Sequence, residues 1–177
     1  LAKGIYIISL DDDANFISDN VLNEIETCFI ENPKCAVQAL SIYWGLHKIN
    51  VNIDYQKPSK CKGFVGCGHV WRKTAWNTIP NYPGWFVFYG EEDYASYQVL
   101  KYDFDVLYNP NLLVQHRVDI KSRKKHKDYR LRLRRSLRSG WYLYVLFYPL
   151  KEIPKRFVYT LWIQFKNKTL KGNLKAT

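Results

Sequence analysis

Residues 5–10, "IYIISL", form a continuous apolar run of strand length that ends directly on Asp11, Asp12 and Asp13. A run without alternation predicts a strand covered on both faces, as in a mainly parallel sheet. The aspartates then sit at its carboxyl end, the edge of an open α/β sheet where ligands bind. Three adjacent carboxylates repel one another, and a cation among them relieves the repulsion. Hard divalent ions such as Mn²⁺ or Mg²⁺ take carboxylate oxygens, retain waters and bridge to substrate phosphates. A solvated acidic turn or helix cap is the alternative reading of the same residues.

The elements that follow fit an α/β chain. "SDNVLNEIETCFIEN" has Val21, Leu22, Ile25 and Phe29 at helical spacing, Ser18 or Asp19 as N-cap, and Asn32 and Pro33 as its stop. "CAVQALSIYW", residues 35–44, predicts a second strand, and the polar connection up to Lys62 shows no periodicity. "GFVGCGHVWRKTAW" places three glycines in six residues ahead of a short strand or helix start. Such glycines let a backbone approach a ligand or a second segment closely, although the spacing matches neither GxGxxG nor a Walker loop. After a Pro-Gly turn, Glu91, Glu92 and Asp93 open a helical stretch to about Lys101. A strand "FDVLY", a turn at Asn109 and Pro110, and a strand "LLVQH" ending on His116 complete this part. Acids at a helix start are a common dipole effect, and a lone histidine is most often structural. Imidazole is also a suitable ligand for Mn²⁺.

With 177 residues the chain suits one main domain, and 47% hydrophobic content excludes a disordered class. It has no methionine, and a strand pattern begins almost at once, so we expect a segment of a longer protein without a targeting sequence. Cys28, Cys35, Cys61 and Cys67 match neither a CxxC zinc pair nor a disulfide scaffold, which predicts reduced, structural, cytosolic thiols. Charge is concentrated: of a net +11, residues 121–138 hold ten Lys or Arg against the single acid Asp128.

Taken in order, these segments resemble the carboxyl half of an inverting family 2 glycosyltransferase with the GT-A fold. "AKGIYIISLDDDA" is similar to that family's entry into its DxD motif, with Asp11 and Asp13 as the outer acids. "GFVGCGHVWRK" resembles its acceptor-side strand, "YGEEDYASYQ" its catalytic acidic motif, and "YNPNLLVQH" the strand that ends in a metal-proximal histidine. The resemblance covers residues 1–117 and implies a partial GT-A catalytic domain there, a mainly parallel sheet flanked by helices. The family's amino-terminal nucleotide-binding half is absent from this sequence.

The resemblance implies a nucleotide-diphosphate sugar donor, with Mn²⁺ or Mg²⁺ held by Asp13 and His116, and Asp11 or Asp12 orienting the ribose. Metal at the leaving diphosphate stabilises growing negative charge. A carboxylate takes the acceptor hydroxyl's proton: Asp93, or Glu92 with a one-residue shift of the motif. Gly66, Gly68, Trp71 and Trp85 fall on the acceptor side, the tryptophans offering flat faces to a sugar ring or, the commoner role of such rings, packing in the core. The processive members' QxxRW motif is missing, which implies transfer of a single sugar to a glycan or lipid-linked acceptor.

Residues 118–177 form a basic and aromatic helical tail, in which neither apolar run reaches the ~18 residues of a membrane span. Its cations and interfacial rings suit an anionic membrane surface, so the expected location is the cytoplasmic face of the membrane; a solvated basic helix followed by an amphipathic helix packed on the domain is the alternative reading. The rival readings are a nucleic-acid-binding module, a metal-dependent phosphoryl transferase or hydrolase, and a membrane-interaction module without catalysis. Nucleic acid is the weaker partner, because the acidic motifs would repel it.

Overall fold

The computed structural model describes residues 2–47, 54–87, 89–119 and 127–166, excluding the side chains of 164–166. The chain divides into two units. The first comprises residues 1–81 and 95–120, and the second residues 82–94 and 121–177.

The first unit is built on a six-stranded sheet. Its strands are β1 (Tyr6–Leu10), β2 (Ala14–Phe16), β3 (Cys35–Trp44), β4 (Ser59–Cys61), β5 (Gly68–Arg72) and β6 (Asp105–His116). The order is β1-β5-β3-β6-β2, with β4 also paired to β6. Only β3 and β6 run parallel; β1–β5, β3–β5, β2–β6 and β4–β6 are antiparallel. The sheet is therefore mixed and mostly antiparallel, which overturns the expectation of a mainly parallel, GT-A-like sheet.

The physical reason is that an apolar run reports burial, not strand direction. β3 is buried on both faces because helices cover both faces of the sheet. Helix α1 (Val21–Glu31) packs Ile25, Cys28 and Phe29 against Leu40, Val70, Leu107 and Val114. Ala75 of α2 (Lys73–Thr78), with Ala95 and Val99 of α3 (Glu91–Lys101), packs against Val37, Trp71 and Val106 on the other face. β1 itself, the run that suggested a doubly covered strand, lies at an edge with Ile8 partly exposed. Residues 11–13 are too few for a crossover, so the chain reverses there. One continuous segment thus pairs with β5 through β1 and with β6 through β2, and it draws the two sides of the sheet toward a nearly closed barrel. Gly68 sits inside this curvature: a Cβ there would lie 2.7 Å from Ile42 Cδ1.

Three local expectations change as well. The N-cap of α1 is Asn20, in the left-handed region at φ 51°, while the Ser18 hydroxyl accepts the Leu113 N–H. Asn109 and Pro110 do not separate two strands; β6 is one strand with a bulge, its register jumping from Asn109 opposite Leu40 to Leu113 opposite Ser41. Proline has no N–H for the ladder, and the extra residues leave it there. The Asn109 amide donates to Gln38 Oε1, and the Asn111 amide to Glu24 Oε1 and the Gln56 carbonyl. The third change is β4, which lies in the connection that showed no periodicity.

Arg72 joins helix to sheet. Its guanidinium donates to the carbonyls of Cys35, Phe29 and Asn32 and lies over the Phe29 ring. The Phe29 and Asn32 carbonyls at the end of α1 lack helical partners, and a charged donor satisfies them and complements the helix dipole, while the bond to Cys35 ties the same guanidinium to the start of β3.

The second unit holds the first turn of α3, helix α4 (Tyr129–Phe147), a 3₁₀ turn (Leu150–Glu152) and α5 (Ile153–Lys166). Helix α4 fuses the described part of the basic stretch with the first aromatic run; residues 121–126 lie outside the described residues. Gly90, at φ 97°, precedes α3, and a Cβ there would lie 2.7 Å from Ser139 Cβ and 3.0 Å from the Phe86 ring. Trp141 and Tyr144 of α4 pack on Phe157 of α5. Among the described residues, no helix is long and apolar enough to cross a membrane.

Candidate metal centre

The turn between β1 and β2 carries the three aspartates at the carboxyl end of β1, beside the carboxyl ends of the parallel pair β3 and β6. The Ala14 N–H donates to the Asp11 carbonyl at 3.0 Å and closes the turn. Aspartate suits such a turn because its short polar side chain tolerates the bend. The Arg117 N–H then donates to the Asp13 carbonyl at 2.9 Å, and Ala14 stands opposite His116 in the β2–β6 ladder. Backbone pairing therefore fixes the turn against the end of β6, and the Arg117 guanidinium adds a hydrogen bond to Asn15 Oδ1.

His116 is 2% exposed. Its Nε2 lies 2.8 Å from Asp13 Oδ1 and 3.7 Å from Asp11 Oδ2. One ligand atom from each of Asp11, Asp13 and His116 can be chosen so that all lie within 4.8 Å of one another. Asp12 is exposed and stands outside this group. The other imidazole nitrogen, Nδ1, is buried with no partner among the described residues. Trp44, at the end of β3, stacks at a tilt on the His116 ring with centroids 4.7 Å apart, and it keeps 39% of its surface exposed.

Two carboxylates and an imidazole make a donor set that suits Mn²⁺, with oxygen ligands that also suit Mg²⁺. The carboxylates are half open to solvent while the imidazole is buried behind them, so ligands from outside can complete a coordination sphere. Sequence reasoning singled out Asp11, Asp13 and His116 but missed Trp44 and Arg117. Arg117 directly follows His116, so its place at a strand end was legible; the placing of Trp44 depended on the β3–β6 register.

The remaining predicted residues fall elsewhere. Gly66 lies in the tight turn from Val65 to Gly68, whose Gly68 N–H donates to the Val65 carbonyl. Gly68 is packed against Ile42 and Val114. Trp71 is 3% exposed and packs edge-on with Phe64 and Trp76, so it is a core ring with no face open to a ligand. His69, also missed, is buried beside Phe64 with Nδ1 3.2 Å from the Val65 carbonyl. Burial pushes its pKa down from 6.5 to about 4, which keeps it neutral near pH 7. A neutral imidazole facing a carbonyl oxygen carries its proton on Nδ1.

Within the second unit, Glu91, Glu92 and Asp93 occupy the first turn of α3, where the helix dipole favours acids. Partial desolvation raises the Asp93 carboxyl above its ordinary value, although the residue keeps solvent access. Burial, then the charges of Glu92 and Glu91, push the Tyr82 hydroxyl up as well. Glu91 Oε2 is buried without a partner among the described residues. Trp85 is half exposed and packs on Phe86 and Tyr142. Compared with known protein families and with curated proteins, the chain matches no family model and no relative.

Proposed function

We propose that the chain serves an inverting, metal-assisted glycosyltransferase of the family 2 type, which moves one sugar from a nucleotide-diphosphate donor to a hydroxyl acceptor. The observation that carries this reading is the convergence of Asp11, Asp13 and His116 from a turn and a strand over a hundred residues apart in sequence. Asp13 and His116 would hold Mn²⁺ or Mg²⁺, with Asp11 close enough to join them, and Asp11 or Asp12 would orient the ribose. When bound there, the ion would supply Lewis-acid stabilisation of charge on the departing diphosphate. Arg117 adds a cation at the same strand end.

Asp93 accepts the acceptor hydroxyl's proton, and its raised pKa makes it a stronger base than a fully solvated aspartate. Glu92 is the neighbouring alternative. Half-exposed Trp85 offers a ring face to a sugar, a role closed to Trp71 by its burial. Glycan or lipid-linked hydroxyls, at the cytoplasmic face of a membrane, are the acceptor class.

The test is incubation of the chain with Mn²⁺, a panel of nucleotide-diphosphate sugars and hydroxyl acceptors. Nucleoside diphosphate and inverted glycoside should form together, with Asp13→Ala and Asp93→Asn both inactive. Release of inorganic phosphate without glycoside would replace this reading with metal-dependent phosphoryl hydrolysis.

A further inference from the structure

The second unit carries a surface that the transferase reading leaves idle. On α5, Phe157 and Thr160 turn toward α4: Phe157 meets Trp141, and the Thr160 hydroxyl meets Tyr144 Oη at 3.1 Å. Val158, Leu161 and Trp162 form a stripe at helical spacing on another side, joined by Tyr159. Val158 is 68% and Trp162 65% exposed, and Leu150 in the preceding turn is 83% exposed. Val145 and Leu146 of α4 are exposed as well. Apolar side chains of this size left in water on one helical pair mark a surface that something covers.

The same pair supplies cations. Leu131, Leu137 and Trp141 line a cavity of about 480 Å³ together with Arg134, Arg135 and Arg138. Trp141 Nε1, a donor, is buried without a partner among the described residues. Trp141 also contacts Phe157, so the arginine-lined cavity and α5 meet at one ring. A helical pair that carries both an exposed apolar stripe and clustered arginines has the chemistry of an interfacial element, whose rings and aliphatic chains enter the headgroup region while cations meet lipid phosphates.

We infer that α4 and α5 dock on an anionic phospholipid surface, with Val158, Leu161 and Trp162 entering the interface and a lipid phosphate seated in the cavity between Arg134 and Arg138. Charge complementarity selects this occupant. A second copy of the chain would bring its own Arg134, Arg135 and Arg138 against the same three cations. Single-stranded nucleic acid would meet the arginines and could stack on Trp162 and Tyr159, but it would leave the aliphatic Val158, Leu161, Leu150 and Val145 in water, which a lipid interface covers. The inference is independent of the metal centre.

Vesicle flotation of the full chain tests it, using vesicles of phosphatidylcholine alone and vesicles with about a third phosphatidylserine, a composition with a strongly negative surface. The chain should bind the anionic vesicles at least about tenfold more tightly, and tryptophan emission should shift to the blue as Trp162 leaves water. Arg134→Ala with Arg138→Ala should weaken binding about 25-fold, at roughly fivefold per arginine near such a surface. Val158→Ser with Trp162→Ser should weaken it while leaving the helical circular dichroism unchanged, because both positions are exposed. Raised salt should release the unaltered chain, a readout that needs no variant. Equal binding to both vesicle types, binding unaffected by the arginine pair, or full displacement by single-stranded DNA with no emission shift would overturn the inference.

Discussion

His116 Nε2 lies 2.8 Å from Asp13 Oδ1, and the residues that hold them there are backbone neighbours in the β2–β6 ladder. The pairing of Ala14 with His116 and the hydrogen bond from the Arg117 N–H to the Asp13 carbonyl make this geometry a property of the sheet. An acid that owes its place to backbone pairing is preorganised, and a ligand that binds there need not order the turn first.

Trp44 should report on that site. Its ring lies over His116, so Mn²⁺ held by the imidazole sits within reach for paramagnetic quenching of its emission. Titration with Mn²⁺ should quench part of the tryptophan fluorescence, and Trp44→Phe should remove most of that quenching while binding persists. Equal quenching in the variant would place the ion elsewhere.

Asp93→Asn should lower sugar transfer by about a hundredfold or more, the scale of a lost general base. It should leave Mn²⁺ binding unchanged, because Asp93 is not one of the clustered ligands. A base must be deprotonated to act, so the rate should fall as pH drops through the Asp93 pKa. That limb should lie above 3.8, since desolvation raises the carboxyl. A rate indifferent to Asp93→Asn would move the role to Glu92.

His69 makes stability depend on pH. Its folded pKa is about 4 against 6.5 unperturbed, so between those values the unfolded chain binds a proton that the folded chain does not. The contribution is complete above pH 6.5 and is lost as pH falls toward 4, by about 3 kcal/mol in all. Urea melts between pH 7 and 4 should show this slope, and His69→Asn should flatten it relative to the unaltered chain.

Arg72→Lys should destabilise the first unit by about 2 kcal/mol, measured by urea or thermal melts, because an ammonium cannot reach three carbonyls from one planar fork. Gly90→Ala should cost the second unit about 1–3 kcal/mol. The new methyl would meet Ser139 and Phe86, in a left-handed backbone that alanine resists.

Helical spacing of apolar residues made α1 legible, an apolar run of strand length made β3 legible, and an acidic start marked α3. Strand direction was not legible. The three-residue reversal at residues 11–13 sends β2 to a different neighbour from β1, and nothing in the local pattern of "IYIISLDDDANF" says so. The bulge in β6 was read as a turn because Pro110 breaks the ladder in either case. The site was legible where chemistry was concentrated, in adjacent aspartates and a histidine at a strand end. Where two readings stood open, three-dimensional neighbours decided between them: Trp71 packs in the core and Gly68 lies against Ile42 of a second strand, while Trp44, which the sequence did not single out, reaches His116 only through the β3–β6 register.

The most direct measurement is an electron paramagnetic resonance titration of Mn²⁺ into the full chain and into Asp13→Ala, with and without a nucleoside diphosphate. The account predicts a single saturable site that tightens with the diphosphate and is lost in the variant, whose substitution at a partly exposed turn should spare the fold. Saturable binding that survives Asp13→Ala, or no binding in either chain, would contradict it.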